Sequence, residues 1–254
     1  MSGSVGKVYI VGAGPGDPGL ITIKGLKVLK RSDVVIYDRL VNPKLLKYAA
    51  KAKEIICVGK GKGEAHLQEY INRLMVEKAR QGLTVVRLKG GDPMIYGRIG
   101  EECEALRRAK IPYEIVPGVS VFQAAAAYSE IYITHRRFSS SVSIATGHEE
   151  GGRRKRRVKL GPLAKASDTL VIFMGVSKLR DLVEELLSHG VKADTPVAII
   201  RNATLRDQLI VNGVLSDIVD KAERVKLGPP AVIFVGKAVA HMPRRPWFKC
   251  KILR

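Results

Sequence analysis

A chain of 254 residues, 46% of them hydrophobic, can bury one large core or two modest ones, and no apolar run nears the roughly 20 residues needed to span a bilayer. Its net charge of +20 leaves nucleic acid, membrane surfaces and polyanionic small molecules open as partners. Cys57, Cys103 and Cys250 form neither a zinc pattern nor a disulfide framework, and Met1-Ser2-Gly3-Ser4 begins no signal peptide, so the sequence reads as a soluble protein of the reducing cytoplasm.

Lys7 to Val11 is a short apolar strand that runs into Gly12-Ala13-Gly14-Pro15-Gly16-Asp17-Pro18-Gly19. This is not a dinucleotide loop. Asp17 takes the place of the last glycine, and Pro15 and Pro18 remove amides a pyrophosphate would use. Thr22 is placed to cap a helix carrying Ile23, Leu26 and Leu29. Asp33 to Tyr37 is a strand ending in Asp38-Arg39-Leu40-Val41. Asn42-Pro43 open the next helical turn, Lys44 to Ala50. Glu54 to Val58 is a third strand, closed by the basic loop Gly59-Lys60-Gly61-Lys62-Gly63. From His66 to Gln81 the apolar residues Leu67, Ile71, Leu74, Met75 and Ala79 share one helical face, and Gly82 ends the helix.

Thr84-Val85-Val86-Arg87 is a buried strand, and it leads into Leu88-Lys89-Gly90-Gly91-Asp92-Pro93-Met94-Ile95-Tyr96-Gly97-Arg98-Ile99-Gly100-Glu101-Glu102. Pro93 forbids the strand from continuing, and Glu101 to Arg108 suits a helix. A strand, a glycine turn and a helix put backbone groups at the carboxyl edge of a sheet, where α/β folds hold ligands. Tyr113 to Val116 is a fifth strand. Pro117-Gly118-Val119-Ser120 then turns into a helix of small residues, Val121 to Tyr128. To this point strands and helices alternate, as in a mostly parallel sheet.

Ile131 to Arg137 is a connection, and Ser141 to Thr146 begins a second set of strands. Gly147-His148-Glu149-Glu150-Gly151-Gly152 is a loop. Six of the seven residues from Arg153 to Lys159 are basic. That run reads first as a solvated loop and second as an attractor of anions. Dedicated RNA binding ranks last, because no aromatic residue interleaves it. Thr169 to Phe173 is a strand ending in Met174-Gly175, Leu179 to His189 a helix stopped by Gly190, and Thr195 to Ile200 a strand followed by Arg201-Asn202-Ala203-Thr204. Gln208 to Val211 reads as a short strand, Asn212-Gly213 as a tight turn, Val214 to Val225 as a helix and Ala231 to Val235 as the last strand. The fold class is α/β, with two domains, 1–116 and 117–243, a peripheral basic tail 244–254, and a ligand cleft between the domains.

Five motifs in this order make the chain resemble the tetrapyrrole methylases: Gly12 to Gly19, Tyr37 to Val41, Gly90 to Glu102, Gly147-His148 and Met174-Gly175. The resemblance covers about Lys7 to Val239 and is strongest to the branch that methylates uroporphyrinogen III. It implies S-adenosylmethionine as methyl donor, S-adenosylhomocysteine as product, and a homodimer. The matching cofactor positions are Pro15, Gly90, Gly91, Asp92, Ile95, Ser120, Val121, Met174, Ala203 and Ala231. Gly90 and Gly91 would permit close approach, and Asp92 would face the cofactor's cationic end. The resemblance places Arg98, Glu101 and Arg136 around the anionic tetrapyrrole, and the arginine matching Arg98 is a proposed base in the family. The implied reaction is two successive C-methylations that give precorrin-2 through precorrin-1, serving sirohaem or cobalamin formation, with no metal, membrane or nucleic-acid partner.

Some positions depart from the family pattern. Ser120-Val121 stand where Thr-Ser or Thr-Ala is usual, Ile99 where glycine is usual and Arg201 where an acid is usual. Ser129-Glu130-Ile131 replaces Ala-Gly-Ile. These bear on substrate choice more than on cofactor use. The rival readings are a methyltransferase of a later corrin intermediate, an rRNA methyltransferase, and a non-catalytic basic nucleic-acid-binding protein. The last leaves the cofactor loops unexplained.

Overall fold

The computed structural model describes residues 4–59, 64–148 and 157–253. Most of the basic loop at 59–63, and the part of the second basic run before Arg157, lie outside the described residues. The chain divides into two compact units, Met1–Val121 and Phe122–Arg254.

The first unit holds β1 (Val8–Gly12), α1 (Ile23–Leu29), β2 (Val34–Tyr37), β3 (Glu54–Cys57), α2 (Glu64–Arg80), β4 (Val85–Lys89), α3 (Ile99–Arg108) and β5 (Tyr113–Val116). Its five strands pair in the order β3-β2-β4-β1-β5, every pair parallel. A parallel sheet needs cover on both faces, and the strand alternation supplies it. Val8, Ile10, Ile36 and Val85 pack with Ile71 and Met75 of α2 and Leu106 of α3. Their neighbours Tyr9, Val11, Val35 and Val86 pack with Val28 and Leu29 of α1 and with Leu45.

The local signals in this unit act as expected, with two exceptions. Thr22 accepts from the Gly25 amide at 3.1 Å and starts α1. Asn42 caps Pro43–Tyr48 through the Lys44 amide, although that segment winds as a tighter 3-10 helix. Gly82 ends α2 at φ +81°. Ile23, however, is 75% exposed. The buried residues of α1 are Gly25, Val28 and Leu29, and Ile23, on the first turn, faces away from them.

The second unit is built from α4 (Val121–Ser129), whose first residue belongs to the first unit, then β6 (Val142–Thr146), α5 (Leu160–Ala166), β7 (Thr169–Phe173), α6 (Leu179–Ser188), β8 (Pro196–Arg201), β9 (Leu209–Val214), α7 (Ile218–Arg224), β10 (Ala231–Gly236), α8 (Lys237–Ala240) and β11 (Lys251–Leu253). The strand order is β11-β9-β8-β10-β7-β6. The sheet is mixed: β6 and β7 are parallel, as are β9 and β11, and the central pairs are antiparallel.

Two sequence expectations fail here, and one helix goes beyond them. Asn212-Gly213 is not a tight turn. Both residues sit inside β9, opposite Ala198 and Val197. The chain leaves the sheet at Val214, whose amide donates to Asp217 Oδ1 at 2.9 Å, so the helix begins only at Ile218. The basic tail is not peripheral either. Trp247 Nε1 donates to the Ala127 carbonyl at 2.9 Å, both Trp247 and Phe248 lie against Tyr128, and β11 extends the sheet beside β9. α5 was not foreseen. Its Pro162 falls in the first turn, where a missing amide costs nothing, and Glu185 accepts from the Leu160 amide at 2.7 Å.

Glu114 on β5 is held between Lys7 Nζ at 2.7 Å and Lys24 Nζ at 2.5 Å. Lys24 first, then Lys7, draws its carboxyl down to about 2 from an ordinary value of 4.5. A depressed carboxylate stabilises the fold above its unfolded pKa and ceases to do so as the pH falls through the folded one. The stability difference between wild type and Glu114→Gln is therefore expected in full above pH 4.5 and should shrink as the pH falls, vanishing only below about pH 2. Urea titrations across that range check it; a difference independent of pH would count against the pair.

Candidate active site

In a parallel sheet all carboxyl ends lie on one edge, and in the first unit three loops meet there. The loop after β1 joins the loop after β4 by a two-residue bridge. The Gly91 amide donates to the Gly14 carbonyl at 2.9 Å, and the Gly14 amide donates back to Gly91 at 3.2 Å. The loop after β5 crosses both. A Cβ at Gly118 would stand 2.4 Å from the Gly91 oxygen and 2.8 Å from Gly12 Cα, and a Cβ at Gly12 would stand 2.6 Å from the Gly118 nitrogen. No side chain fits at either position. Gly14 and Gly91 take φ of +72° and +70°, where glycine alone is unstrained. Pro15, next to Gly14, is buried. The Ala13 and Gly14 amides serve the Lys89 and Gly91 carbonyls, so they bind loop to loop rather than phosphate.

Asp92 locks this crossing. Its Oδ1 accepts from the Met94 amide and its Oδ2 from the Gly118 amide, both at 2.8 Å. The sequence reading aimed this carboxylate at the cofactor's cationic end; in the structure both oxygens hold backbone. Gly90 is also partly explained by packing, since a Cβ there would lie 3.2 Å from Leu40 Cβ. Ser120 is buried, and the Val121 amide at the start of α4 lies 3.7 Å from the point where a Gly91 Cβ would be.

Behind the turn runs a buried charge network that the sequence reading missed. Arg87 donates to Asp38 Oδ1 at 2.6 Å and to Glu102 Oε1 at 3.0 Å, and Lys89 Nζ donates to the same Glu102 oxygen at 2.9 Å. The side chains of Arg87, Lys89 and Glu102 are 2%, 6% and 0% exposed. Glu102 Oε2 has no hydrogen-bond partner among the described residues. Burial, and then the Arg87 charge, pushes Lys89 below its ordinary range. Burial opposes the Arg87 charge too, but Asp38 and Glu102 outweigh it and raise Arg87. Two cations spaced i, i+2 in an apolar strand share a face of the sheet, and that spacing was the signal available in the sequence. Asp38 is thus tied to Arg87.

Arg98 and Glu101 lie where α3 begins and hold each other. Arg98 Nε meets Glu101 Oε1 and its terminal nitrogen meets Oε2, both at 2.9 Å. Tyr96 and Arg98 have φ of +51° and +53°. Such strain persists only where the surroundings impose it, and it gathers at functional turns. Ile95, between Met94 and Tyr96, is half-buried.

In the second unit three of the expected cofactor residues share one sheet edge. Met174 follows the last residue of β7, Ala231 opens β10 opposite Arg201 at the end of β8, and Ala203 lies two residues beyond Arg201. Met174 is 50% exposed at φ +52°, while Ala203 is buried. Behind Met174, Gly147 and Gly175 are so close that a Cβ on Gly147 would lie 2.5 Å from Gly175 Cα. Arg136 is not with this group. It is exposed on the turn bridged by His135 and Ser139, and Ser139 Oγ lies 3.0 Å from Thr169 Oγ1 at the opposite end of β7.

Among the described residues no cluster of His, Cys, Asp and Glu is arranged to hold a metal, and no helix is long and apolar enough to cross a membrane. The sequence profile of the Tetrapyrrole (Corrin/Porphyrin) Methylases matches residues 7–219. The chain belongs to this family. It is 49% identical to the uroporphyrinogen-III C-methyltransferase of Methanocaldococcus jannaschii over 92% of this chain and 97% of that one. A crystal structure of uroporphyrin-III C-methyltransferase from Thermus thermophilus complexed with S-adenosylhomocysteine matches at 38% identity and TM-score 0.77, covering 92% and 93% of the two chains. A cobalt precorrin-4 methyltransferase matches at 37% identity and TM-score 0.80, covering 92% and 95%.

Two substitutions test the architecture of this methylase. Glu102→Ala leaves two buried cations short of their shared partner and is expected to cost about 3–5 kcal/mol; a loss under about 1 kcal/mol in chemical denaturation would show the network relaxes around the gap. Gly118→Ala forces a methyl onto the Gly91 carbonyl and should cost about 1–3 kcal/mol. Wild-type stability there would mean the loops can separate.

Proposed function

We propose that the chain transfers methyl groups from S-adenosylmethionine to uroporphyrinogen III, two in succession, giving precorrin-2 through precorrin-1. The near full-length 49% identity to a uroporphyrinogen-III C-methyltransferase carries this reading. The first unit offers the cofactor Pro15, Gly90, Gly91, Asp92, Ile95, Ser120 and Val121. The second offers Met174, Ala203 and Ala231.

These residues suit such a group. Gly91 leaves the crossing bare of a side chain close to the first amide of α4, and a helix N-terminus receives a carboxylate well. Met174 presents a polarisable thioether. Asp92 contributes by holding the shape of the cradle. When bound, S-adenosylmethionine supplies a methyl group made electrophilic by its cationic sulfur.

Uroporphyrinogen III carries acetate and propionate arms on every ring. The Arg98 fork matches a carboxylate, and Glu101 holds that fork in orientation until the substrate arrives. The pyrrole carbon that gains the methyl already bears an acidic arm and has no hydrogen, so the cation formed must lose its proton from elsewhere on the macrocycle. Arg98 stays protonated at any working pH and already holds Glu101, so Glu101 or a water is the better acceptor. Arg136, set apart from Met174, enters this reading only through the family resemblance. The charge of +20 favours encounter with a polyanion. The enzyme is proposed to work as a homodimer in the cytoplasm.

Mass analysis after anaerobic incubation with uroporphyrinogen III and S-adenosylmethionine should find a product bearing two added methyl groups. An unmethylated tetrapyrrole, with cofactor still bound, would redirect the assignment to a later corrin intermediate. Arg98→Ala and Glu101→Ala should each lower turnover at least ~100-fold with cofactor affinity kept. Full turnover in either variant removes that residue from the mechanism.

A further inference from the structure

The chain leaves β8 through a turn that does not suit its own residues. The Leu205 amide donates to the Asn202 carbonyl at 3.1 Å, which makes Asn202 to Leu205 a four-residue turn with Ala203 and Thr204 at its centre. Asn202 takes φ of +51° and Thr204 φ of +70°. A turn with positive φ at its third residue normally places glycine or asparagine there, and a β-branched residue is a poor fit. Such a backbone persists only where its surroundings impose it.

Gln208, directly before β9, imposes it. The residue is 1% exposed. Its Oε1 accepts from the Thr204 amide at 2.7 Å. Its Nε2 donates to the Tyr128 carbonyl near the end of α4 at 3.5 Å and to Cys250 Sγ at 3.6 Å. An amide oxygen can only accept and an amide nitrogen can only donate, so these partners fix which way round the side chain stands. Asn202 is held separately: its amide donates to the Pro230 carbonyl at 3.1 Å, and its Nδ2 donates to Asp207 at 2.7 Å. Ala203, between the two left-handed residues, is buried on the sheet edge that also bears Met174 and Ala231.

A strained turn held by a buried and fully engaged side chain, on an edge expected to meet a cofactor, points to positioning. We infer that Gln208 is a positioning residue for S-adenosylmethionine: by holding the Thr204 amide it keeps the Ala203 backbone in the shape the cofactor meets. This role rests on the cofactor reading of Ala203 and deepens it. An apolar residue of similar size at 208 fills the same space but leaves the Thr204 amide buried without an acceptor. The turn then gains by swinging that amide toward water, and Ala203 moves with it.

Calorimetric titration of the full chain with S-adenosylhomocysteine tests this. Gln208→Leu should raise the dissociation constant about 10-fold. The KM for S-adenosylmethionine should rise with it, while kcat at saturating cofactor and the KM for uroporphyrinogen III stay near wild type. Gln208→Glu gives a readout that packing alone does not move. A neutral glutamic acid reproduces glutamine, one oxygen accepting from Thr204 and its hydroxyl donating to Tyr128. The ionised form sets a charge against the Tyr128 carbonyl, and burial disfavours that charge further. Of the titratable groups nearby, burial pushes the Cys250 thiol up, and Asp207 is turned to Asn202. Measured against wild type at each pH, the affinity of Gln208→Glu should match it near about pH 5 and fall away as the pH rises toward about 8. The glutamate variant is isosteric and decides the matter even if the leucine variant does not fold. Wild-type affinity in Gln208→Leu overturns the inference alone, and so does a Gln208→Glu whose affinity follows wild type at every pH. A wild type that does not bind S-adenosylhomocysteine overturns the inference together with the cofactor reading beneath it.

Discussion

Three backbones cross at the carboxyl edge of the first sheet more closely than any side chain allows. Gly12, Gly91 and Gly118 make the crossing possible, and the Gly14–Gly91 bridge and the Asp92 carboxylate fix it. Everything proposed for the first unit is measured from this point. The turn that bears Met94 and Arg98 begins there, and so does the helix whose first amide faces Gly91. The strands of the crossing meet backbone to backbone, and the rotamer of Asp92 that ties them is itself pinned by two amides. A site built this way is preorganised.

The buried charges carry the same constraint outward. β4 supplies Arg87 and Lys89 at one end of the turn, and α3 supplies Glu102 at the other. On the first turn of α3, Glu102 points into the protein and Glu101 points out toward Arg98. One ion pair anchors the helix, and its neighbour faces the chemistry. Strain at Tyr96 and Arg98 is tolerated because both ends of the segment are tied.

Much of the fold was legible because strand, turn and helix signals agree in the first unit. The fully buried pattern of β1 follows from its apolar run, whereas β4 is fully buried although it carries Arg87 and Lys89, because Asp38 and Glu102 pair with them. What failed were local signals overruled by tertiary structure. Asn212-Gly213 looks like a hairpin turn, but β8 pairs with it and Asp217 ends the strand instead. The tail looks peripheral in sequence because its charges hide Trp247 and Phe248, which find Tyr128 far back in the chain. The same limit applies to the site. Glycines announced the crossing, yet only coordinates show that Asp92 serves the backbone, that Arg98 pairs with Glu101, and that Arg136 and Met174 lie toward opposite ends of β7. A sequence shows which residues are able to act but not which partners have already engaged them.

Anyone seeking to harden this protein against heat meets an awkward choice at Asp38, Arg87, Lys89 and Glu102. Buried ion pairs can often be exchanged for well-packed apolar residues with no loss, and sometimes with a gain of about 1–4 kcal/mol. Reaching that state one substitution at a time means passing through chains with a stranded charge in the core. The four positions therefore behave as a single heritable unit, to be exchanged together or left alone. A fully apolar replacement would also give up direction: oil packs in many ways, whereas a carboxylate held by a guanidinium and an ammonium sets how far α3 stands from β4.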